Sequence, residues 1–286
     1  SKNAITVGAS TKDDQLADFS SKGPSSGNFL IKPDILAPGV SILSASPGGS
    51  FSIKNGTSMA APHIAGVAAL LLAINQNWSP NIIKAAIMNS AIDLDIDVYS
   101  QGTGRVDALK SFELESIVSP ASISMGPADI NSDNWTFIDT LTISNFSTET
   151  KTFTISDLSA IPGVNIAFSP QNPQILANDK QEVIITVFVD NNIVPISTNA
   201  TGSYEGKILF SSNTDTITVP YSFIKGRSLI VHFDQEPFYV RVFSDTENWS
   251  FFEPGHSITI PSLPQDNYNI FVEFNFVMSE TYYVIR

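Results

Sequence analysis

The stretch from Thr57 to Ile74, TSMAAPHIAGVAALLLAI, constrains the fold more than any other part of the chain. It has helical length and carries no charged residue. Apolar residues fall on nearly all sides, among them Ala60, Ile64, Val67, Leu70, Leu71 and Leu72. A helix without a polar face belongs in a core, between other layers of structure. Gly66 predicts close packing against a neighbouring element, and Pro62 is read as a first-turn proline, where a missing N–H costs least. The longest strongly apolar run, VAALLLAI, is shorter than the eighteen or more residues a membrane span needs, so no span is expected.

Signals on either side predict an α/β segment. AITVGA reads as a short strand, and KPDILAPGVSILSAS as turn, strand, turn, strand. Ser79 is a natural N-cap with Pro80 at the first helical position, so a second helix of about three turns follows. GTGRVDALKSF then reads as a turn and a short helix. Near residue 116 the texture changes. Alternating runs such as FIDTLTISN, EVIITVFVD, EGKILFSS and TITVPYSF recur between turn residues. This pattern predicts an immunoglobulin- or fibronectin-III-like β-sandwich over 116–225. SLIVHF, FYVRVF, SITIPSLP and YNIFVEF predict a second small β domain over 226–286. The expected division is therefore an α/β part over 1–115 and two β domains. Both termini fall in strand-like stretches, so a piece of a longer protein is expected.

Charge narrows the partners. The net charge is −13, of which residues 116–286 carry −11, from seven Lys/Arg and eighteen Asp/Glu. Such a surface repels nucleic-acid phosphates and anionic lipid. The chain has no cysteine, which removes disulfides, thiolate zinc sites and a thiol nucleophile.

Ser58 is the residue on which function turns. On position alone, a Ser or Thr before an apolar helix is an ordinary N-cap. Its neighbours suggest more. Gly56 allows a tight turn and close approach of a substrate. A helix N-terminus favours negative charge, as acyl transfer needs when a carbonyl oxygen becomes an anion.

NGTSMAAPHIAGVAALLL resembles the nucleophile segment of the subtilisin-like serine proteases, the subtilases. AITVGAS, ADFSSKGP and KPDILAPGVSILSA resemble the same family in the same order, as does GTGRVDALKS downstream. The resemblance covers about residues 1–115 and implies a mostly parallel α/β fold. It implies that Ser58 attacks the scissile peptide carbonyl and that its N–H forms half of the oxyanion hole. Thr57 is implied to support that hole, or else to serve only as the cap. Gly56 and Met59 are structural members of the motif, and Asn55 borders the substrate cleft.

A serine nucleophile needs a base. His63 is not on the helix face of Ser58, five residues earlier, and the resemblance places it behind the nucleophile. His232 and His256 are expected to be surface or edge residues of the last β domain. In subtilases the triad runs Asp, His, Ser along the chain. The Asp, the His and the oxyanion Asn are therefore expected upstream of Ser1, and these 286 residues alone are expected to be inactive. Asp34 is a structural position of the motif. A secreted enzyme acting on proteins or peptides is implied, with no cofactor in the chemistry and structural calcium at sites that cannot be placed. Asp93, Asp95 and Asp97 alternate like a calcium loop. Val98 stands where such a loop has Gly, and Gly104 where it has Glu, so an acidic surface loop is expected. The alternatives are a pseudoprotease scaffold used for binding, or a surface adhesion module whose β domains hold a surface or matrix ligand. Trp135, Trp249 and the aromatics around Phe251 could form a ligand platform, though core filling is the commoner role of strand aromatics.

Overall fold

The computed structural model describes residues 4–25, 29–129, 132–197, 202–226, 228–243, 248–261, 268–274 and 277–285. Two compact units are present. One comprises 1–194 with 205–223, and the other 195–204 with 224–286.

The first unit opens with two short strands, β1 (Val7–Ser10) and β2 (Ile35–Pro38), paired in parallel. A hairpin follows, β3 (Ile42–Ser46) and β4 (Ser50–Lys54), and leads into α1 (Thr57–Ile74). Then come α2 (Pro80–Asn89), α3 (Val98–Gln101) and α4 (Ala108–Glu113). The second helix starts as its sequence dictates. Ser79 caps it by accepting the Ile82 N–H, and Pro80 takes the first turn. Asp107 caps α4 by accepting the Lys110 N–H.

Helix α1 packs on β1, β2 and α2. Ala60, Ile64, Val67 and Leu71 enter a core with Ala9, Ile35, Ala37, Ile83 and Ile87. Burying each of the larger three contributes about 1.5–3 kcal/mol. The sequence predicted burial all round, and the structure differs. Leu70, Leu72 and Ile74 are 59%, 47% and 63% exposed. Nothing in this chain covers that side among the described residues. Gly66, expected at a close contact, likewise meets open space. Pro62 is the sixth residue of α1 rather than a first-turn residue, so it leaves the Ser58 carbonyl without its i+4 donor. By length and composition α1 would suffice to cross a membrane, which the count of apolar residues in VAALLLAI missed. In this structure one stripe of α1 packs on the β1–β2 pair and on α2.

The rest of the first unit is β structure: β5 (Ser116–Ser119), β6 (Ile123–Pro127), β7 (Asn134–Asn145), β8 (Lys151–Thr152), β9 (Thr154–Asp157), β10 (Val164–Ser169), β11 (Gln174–Ile175), β12 (Lys180–Asp190), β13 (Ser203–Ser211) and β14 (Thr216–Ile224). They form two four-stranded sheets, ordered β10-β12-β7-β5 and β6-β14-β13-β9, and a small β11-β8 pair. Alternation does the work. Val183, Ile185, Val187 and Val189 of β12 are fully buried, as are Ile217, Val219, Tyr221 and Phe223 of β14. Trp135 of β7, half-buried, lies 5.7 Å from the buried Phe223 and so packs against the core on that side.

These sheets are joined to the α/β segment by polar contacts of low exposure. The Val118 N–H donates to Asn89 Oδ1 (2.8 Å), the Ile31 N–H to Ser124 Oγ (2.8 Å) and the Val98 N–H to Glu205 Oε2 (2.9 Å). The hydroxyls of Tyr99 and Ser222 share a hydrogen bond of 2.9 Å.

The second unit contains β15 (Ser228–His232), β16 (Tyr239–Phe243), β17 (Asn248–Phe252), β18 (Ser257–Pro261), β19 (Tyr268–Phe274) and β20 (Val277–Ile285). β15 pairs with β18, and the other four are ordered β17-β16-β19-β20. Its core includes Val240, Val242, Ile258, Ile260, Ile270 and Val272, with Trp249 and Phe251 packed against them.

Candidate active site

Two backbone hydrogen bonds fix where α1 begins. The Gly39 N–H donates to Ser10 O (2.9 Å), and the Gly56 N–H donates to Gly39 O (2.8 Å). Ser10 ends β1 and Gly39 follows β2, so the start of α1 hangs from the carboxyl ends of the two parallel strands. That end of a parallel sheet is where α/β folds bind ligands. Gly39 admits no side chain, because a Cβ there would lie 2.7 Å from Ala9 Cβ and 2.8 Å from Gly56 O. Gly56 holds φ +148°, a conformation that L side chains avoid.

Gly56 is also the N-cap of α1, and no side chain caps this helix. Thr57 and Ser58 are thus the first and second helical residues, and neither performs the ordinary capping role that position alone suggested. Ser58 is exposed, and no side chain among the described residues hydrogen-bonds its hydroxyl. Thr57 and Met59 are half-buried beside it. An exposed hydroxyl in the uncapped first turn stands beside unpaired N–H groups and the positive end of the helix dipole.

Asn55 Oδ1 accepts the Ser41 N–H at 2.6 Å and so closes the base of the β3–β4 hairpin, where Ser41 has φ +54°. The sequence placed Asn55 at the cleft border but gave it no partner. His63 is exposed rather than packed behind the nucleophile, because no element among the described residues covers that flank of α1. Its Nδ1 lies 2.9 Å from Met59 O, on its own helix. His232 is exposed on β15. His256 is also exposed, with Nδ1 3.2 Å from Phe233 O and Nε2 3.4 Å from Glu236.

Asp34 lies at the other end of β2, about 13 Å of strand away from the start of α1. It is 3% exposed. Its Oδ2 accepts the Thr6 N–H (2.7 Å), the Thr6 hydroxyl (2.8 Å) and Lys32 Nζ (2.7 Å), and its Oδ1 accepts Lys84 Nζ (2.9 Å). Burial pushes this carboxyl upward, but the Lys32 ammonium, the Thr6 N–H and Lys84 together hold it below the usual carboxylate range. Lys84 also donates to Ala4 O at 3.0 Å. The carboxylate thus ties β1, β2 and α2 together. Lys84 carried no sequence signal, since it meets Asp34 from fifty residues away only in three dimensions.

The Asp93 carboxylate is engaged by hydrogen bonds from nearby residues and by a lysine. Asp93 Oδ1 accepts the Asp95 N–H (3.0 Å) and Gln101 Nε2 (2.9 Å), and its other oxygen pairs with Lys207.

Residues 1–117 match the model of the subtilase family, peptidase S8. Those residues are thus similar to the subtilases. Over 221 residues the chain is 35% identical to the minor extracellular protease Vpr of Bacillus subtilis, covering 71% of this chain and 26% of that protein. Over 110 residues it is 44% identical to the subtilisin-like protease SBT1.9 of Arabidopsis thaliana, covering 34% of this chain and 15% of that protein. Among solved structures, the prenylagaramide maturation protease PagA matches at 34% identity, covering 38% of this chain and 42% of that one, with a TM-score of 0.34. The chain therefore spans about a quarter or less of these two curated relatives. The similarity to Vpr is longer than the 117 residues that match the family model and so extends into the β-rich region.

Proposed function

We propose that this chain is the serine-bearing part of a secreted subtilisin-type endopeptidase. Ser58 is the nucleophile. Its hydroxyl attacks a peptide carbonyl carbon, the carbonyl oxygen becomes an oxyanion, and the amine leaves as the acyl-enzyme forms. The Ser58 N–H, at a helix start where N–H groups and dipole converge, supplies half of the oxyanion hole, and Thr57 supports it. Gly56 and Met59 shape the turn, and Asn55 holds the hairpin that borders the cleft.

The observation that carries this reading is the placement of Ser58: exposed, uncapped, and held by Gly39 and Gly56 over the carboxyl ends of β1 and β2. The triad Asp and His and the oxyanion Asn come from another segment of a longer chain. The apolar flank of α1 is the natural seat for that segment. Without it the 286 residues do not hydrolyse peptides at an enzymatic rate. The β-sandwich over 116–225 braces the α/β part through the contacts of Asn89, Ser124 and Tyr99. The third part spans 226–286. Protein or peptide chains are the substrates, and the setting is extracellular.

The test is covalent labelling of the full-length protein with a serine-directed phosphonate. Label on the tryptic peptide containing Ser58, lost in Ser58→Ala, is the expected result. A full-length protein that is folded and yet shows no Ser58-dependent label is a scaffold and not a protease.

A further inference from the structure

The outer face of the small β unit carries chemistry that peptide hydrolysis does not use. In the β17-β16-β19 ladder Tyr239 stands opposite Phe252 on one side and Glu273 on the other. Two residues along, Arg241 stands opposite Ser250 and Phe271. Two further along, Phe243 stands opposite Asn269. Successive strand residues alternate between faces, so these rows share one side of the sheet, about 7 Å apart along the strands. The intervening residues, Val240, Val242, Ile270 and Val272, form the core on the other side with β15 and β18.

Phe252 is 72% exposed, and Arg241, Ser250 and Glu273 are exposed as well. Tyr239 is the hub. Its ring centroid lies 4.9 Å from that of Phe252 and 6.2 Å from that of Phe271, and its hydroxyl is 2.9 Å from Ser250 Oγ. Arg241 Cζ lies 4.7 Å from the Phe243 ring centroid. Phe252 is exposed while Tyr239 and Phe271 are half-buried beside it, and a clustered aromatic surface of this kind on one sheet face marks an interaction site.

We infer that this face binds a neutral oligosaccharide. A sugar ring has apolar C–H faces and a rim of hydroxyls. The rings of Tyr239, Phe252 and Phe271 meet the first. Arg241 donates to the second, Glu273 accepts from it and Asn269 does both. No exposed aliphatic side chain shares the face in these three strands, as a protein-docking patch would have. Charge selects further. Arg241 and Glu273 cancel on the face itself, while residues 226–286 hold three Lys/Arg and eight Asp/Glu, a net of −5. Polyanionic glycans, nucleic acids and anionic lipid are repelled by those surroundings, and a neutral polymer is not. Trp249 and Phe251, which lie nearby in sequence, take no part because they point into the core.

The experiment is isothermal titration of the 286-residue chain with cellohexaose, xylohexaose, laminarihexaose and chitohexaose. A saturable signal with at least one is expected. Tyr239→Ala and Phe252→Ser should weaken it at least about tenfold, since each removes a stacking surface. Phe188→Ser, on β12 of the other unit, should leave it unchanged. Phe252→Ser removes an exposed ring, so its far-UV circular dichroism should match the parent. No binding to any of the four sugars overturns the inference. So does binding that survives both substitutions, and so does capture of a lysine-rich or proline-rich peptide on this face with no sugar bound.

Discussion

Gly39 O accepts the Gly56 N–H at 2.8 Å, and this contact seats the first turn of α1 on the end of β2. A methyl group at position 39 would sit 2.8 Å from the Gly56 carbonyl oxygen and 2.7 Å from Ala9 Cβ, so backbone must move. Gly39→Ala is expected to cost roughly 1–3 kcal/mol, as overpacking does. Urea unfolding of the chain measures this. An unchanged midpoint would show that the helix start is not fixed by this contact.

Lys84 supports Asp34 from α2. Lys84→Met removes the only donor to Oδ1 among the side chains bonded to Asp34, leaving Lys32 and Thr6 on Oδ2. A loss of roughly 3 kcal/mol is expected, the lower end for breaking a buried pair. The pH dependence follows from the lowered Asp34 pKa. Its stabilisation is present above the ordinary carboxyl value of 3.8 and is lost as pH falls through the lower folded value. Without Lys84 that folded value rises, so acid unfolding of the variant should begin at higher pH. Equal acid midpoints for variant and parent would refute the assignment.

Lys151 and Asp215 form a second buried pair, 2.5 Å apart and 7% and 5% exposed. Glu115, itself half open to solvent, also pairs with Lys151, at 2.7 Å, and the Ser116 hydroxyl donates to Asp215 at 2.8 Å. Burial lowers the lysine, but Asp215 and Glu115 outweigh it and raise its pKa. Lys151→Met leaves a buried carboxylate without a countercharge, for which about 3–5 kcal/mol is expected. The double variant Lys151→Met/Asp215→Leu should recover part of that loss. A double variant no better than Lys151→Met would place the defect in packing rather than charge.

Tyr99 gives an alkaline signature. Burial pushes its phenol up to about 12, against the help of Ser222. The unfolded chain ionises near 10, so stability from this group is complete below pH 10 and declines as pH rises toward 12. Tyr99→Phe should flatten the stability curve over that window, at the cost of the 2.9 Å hydrogen bond to Ser222. An alkaline slope equal to that of the parent would remove Tyr99 from the account.

The bare flank of α1 separates stability from assembly. Leu70→Glu and Leu72→Glu lie on exposed positions, so each should change the stability of the 286-residue chain by no more than about 0.5 kcal/mol. In the full-length protein the same pair should abolish Ser58 labelling, because a charge would be buried where the missing segment docks. Full labelling in that variant would mean that the flank stays open to solvent.

Local signals were legible in the sequence because they are local. The bounds of α1 at Thr57 and Ile74, the Ser79 cap with Pro80, and the short helix after GTGRVD follow from residues within a turn of one another. The alternating runs became β7, β12, β13 and β14 because period two is written residue by residue. Short strands with weaker alternation, such as β5, β6 and β10, gave no comparable signal. The resemblance to the subtilases around Ser58 was equally plain, since NGTSMAAPHIAGVAALLL is contiguous in the chain.

What the sequence by itself determined was therefore where elements start, stop and alternate, and which serine stands at a helix entrance. Only the tertiary structure decided which side of a helix apolar all round is covered, because burial depends on what surface lies opposite and not on the helix. Only it brought Lys84 onto Asp34, fifty residues away, since charge pairing at that separation leaves no periodic trace. And only it sent Trp249 and Phe251 inward and Phe252 outward, since neighbouring strand residues point to opposite faces and the packed face is chosen by the second sheet.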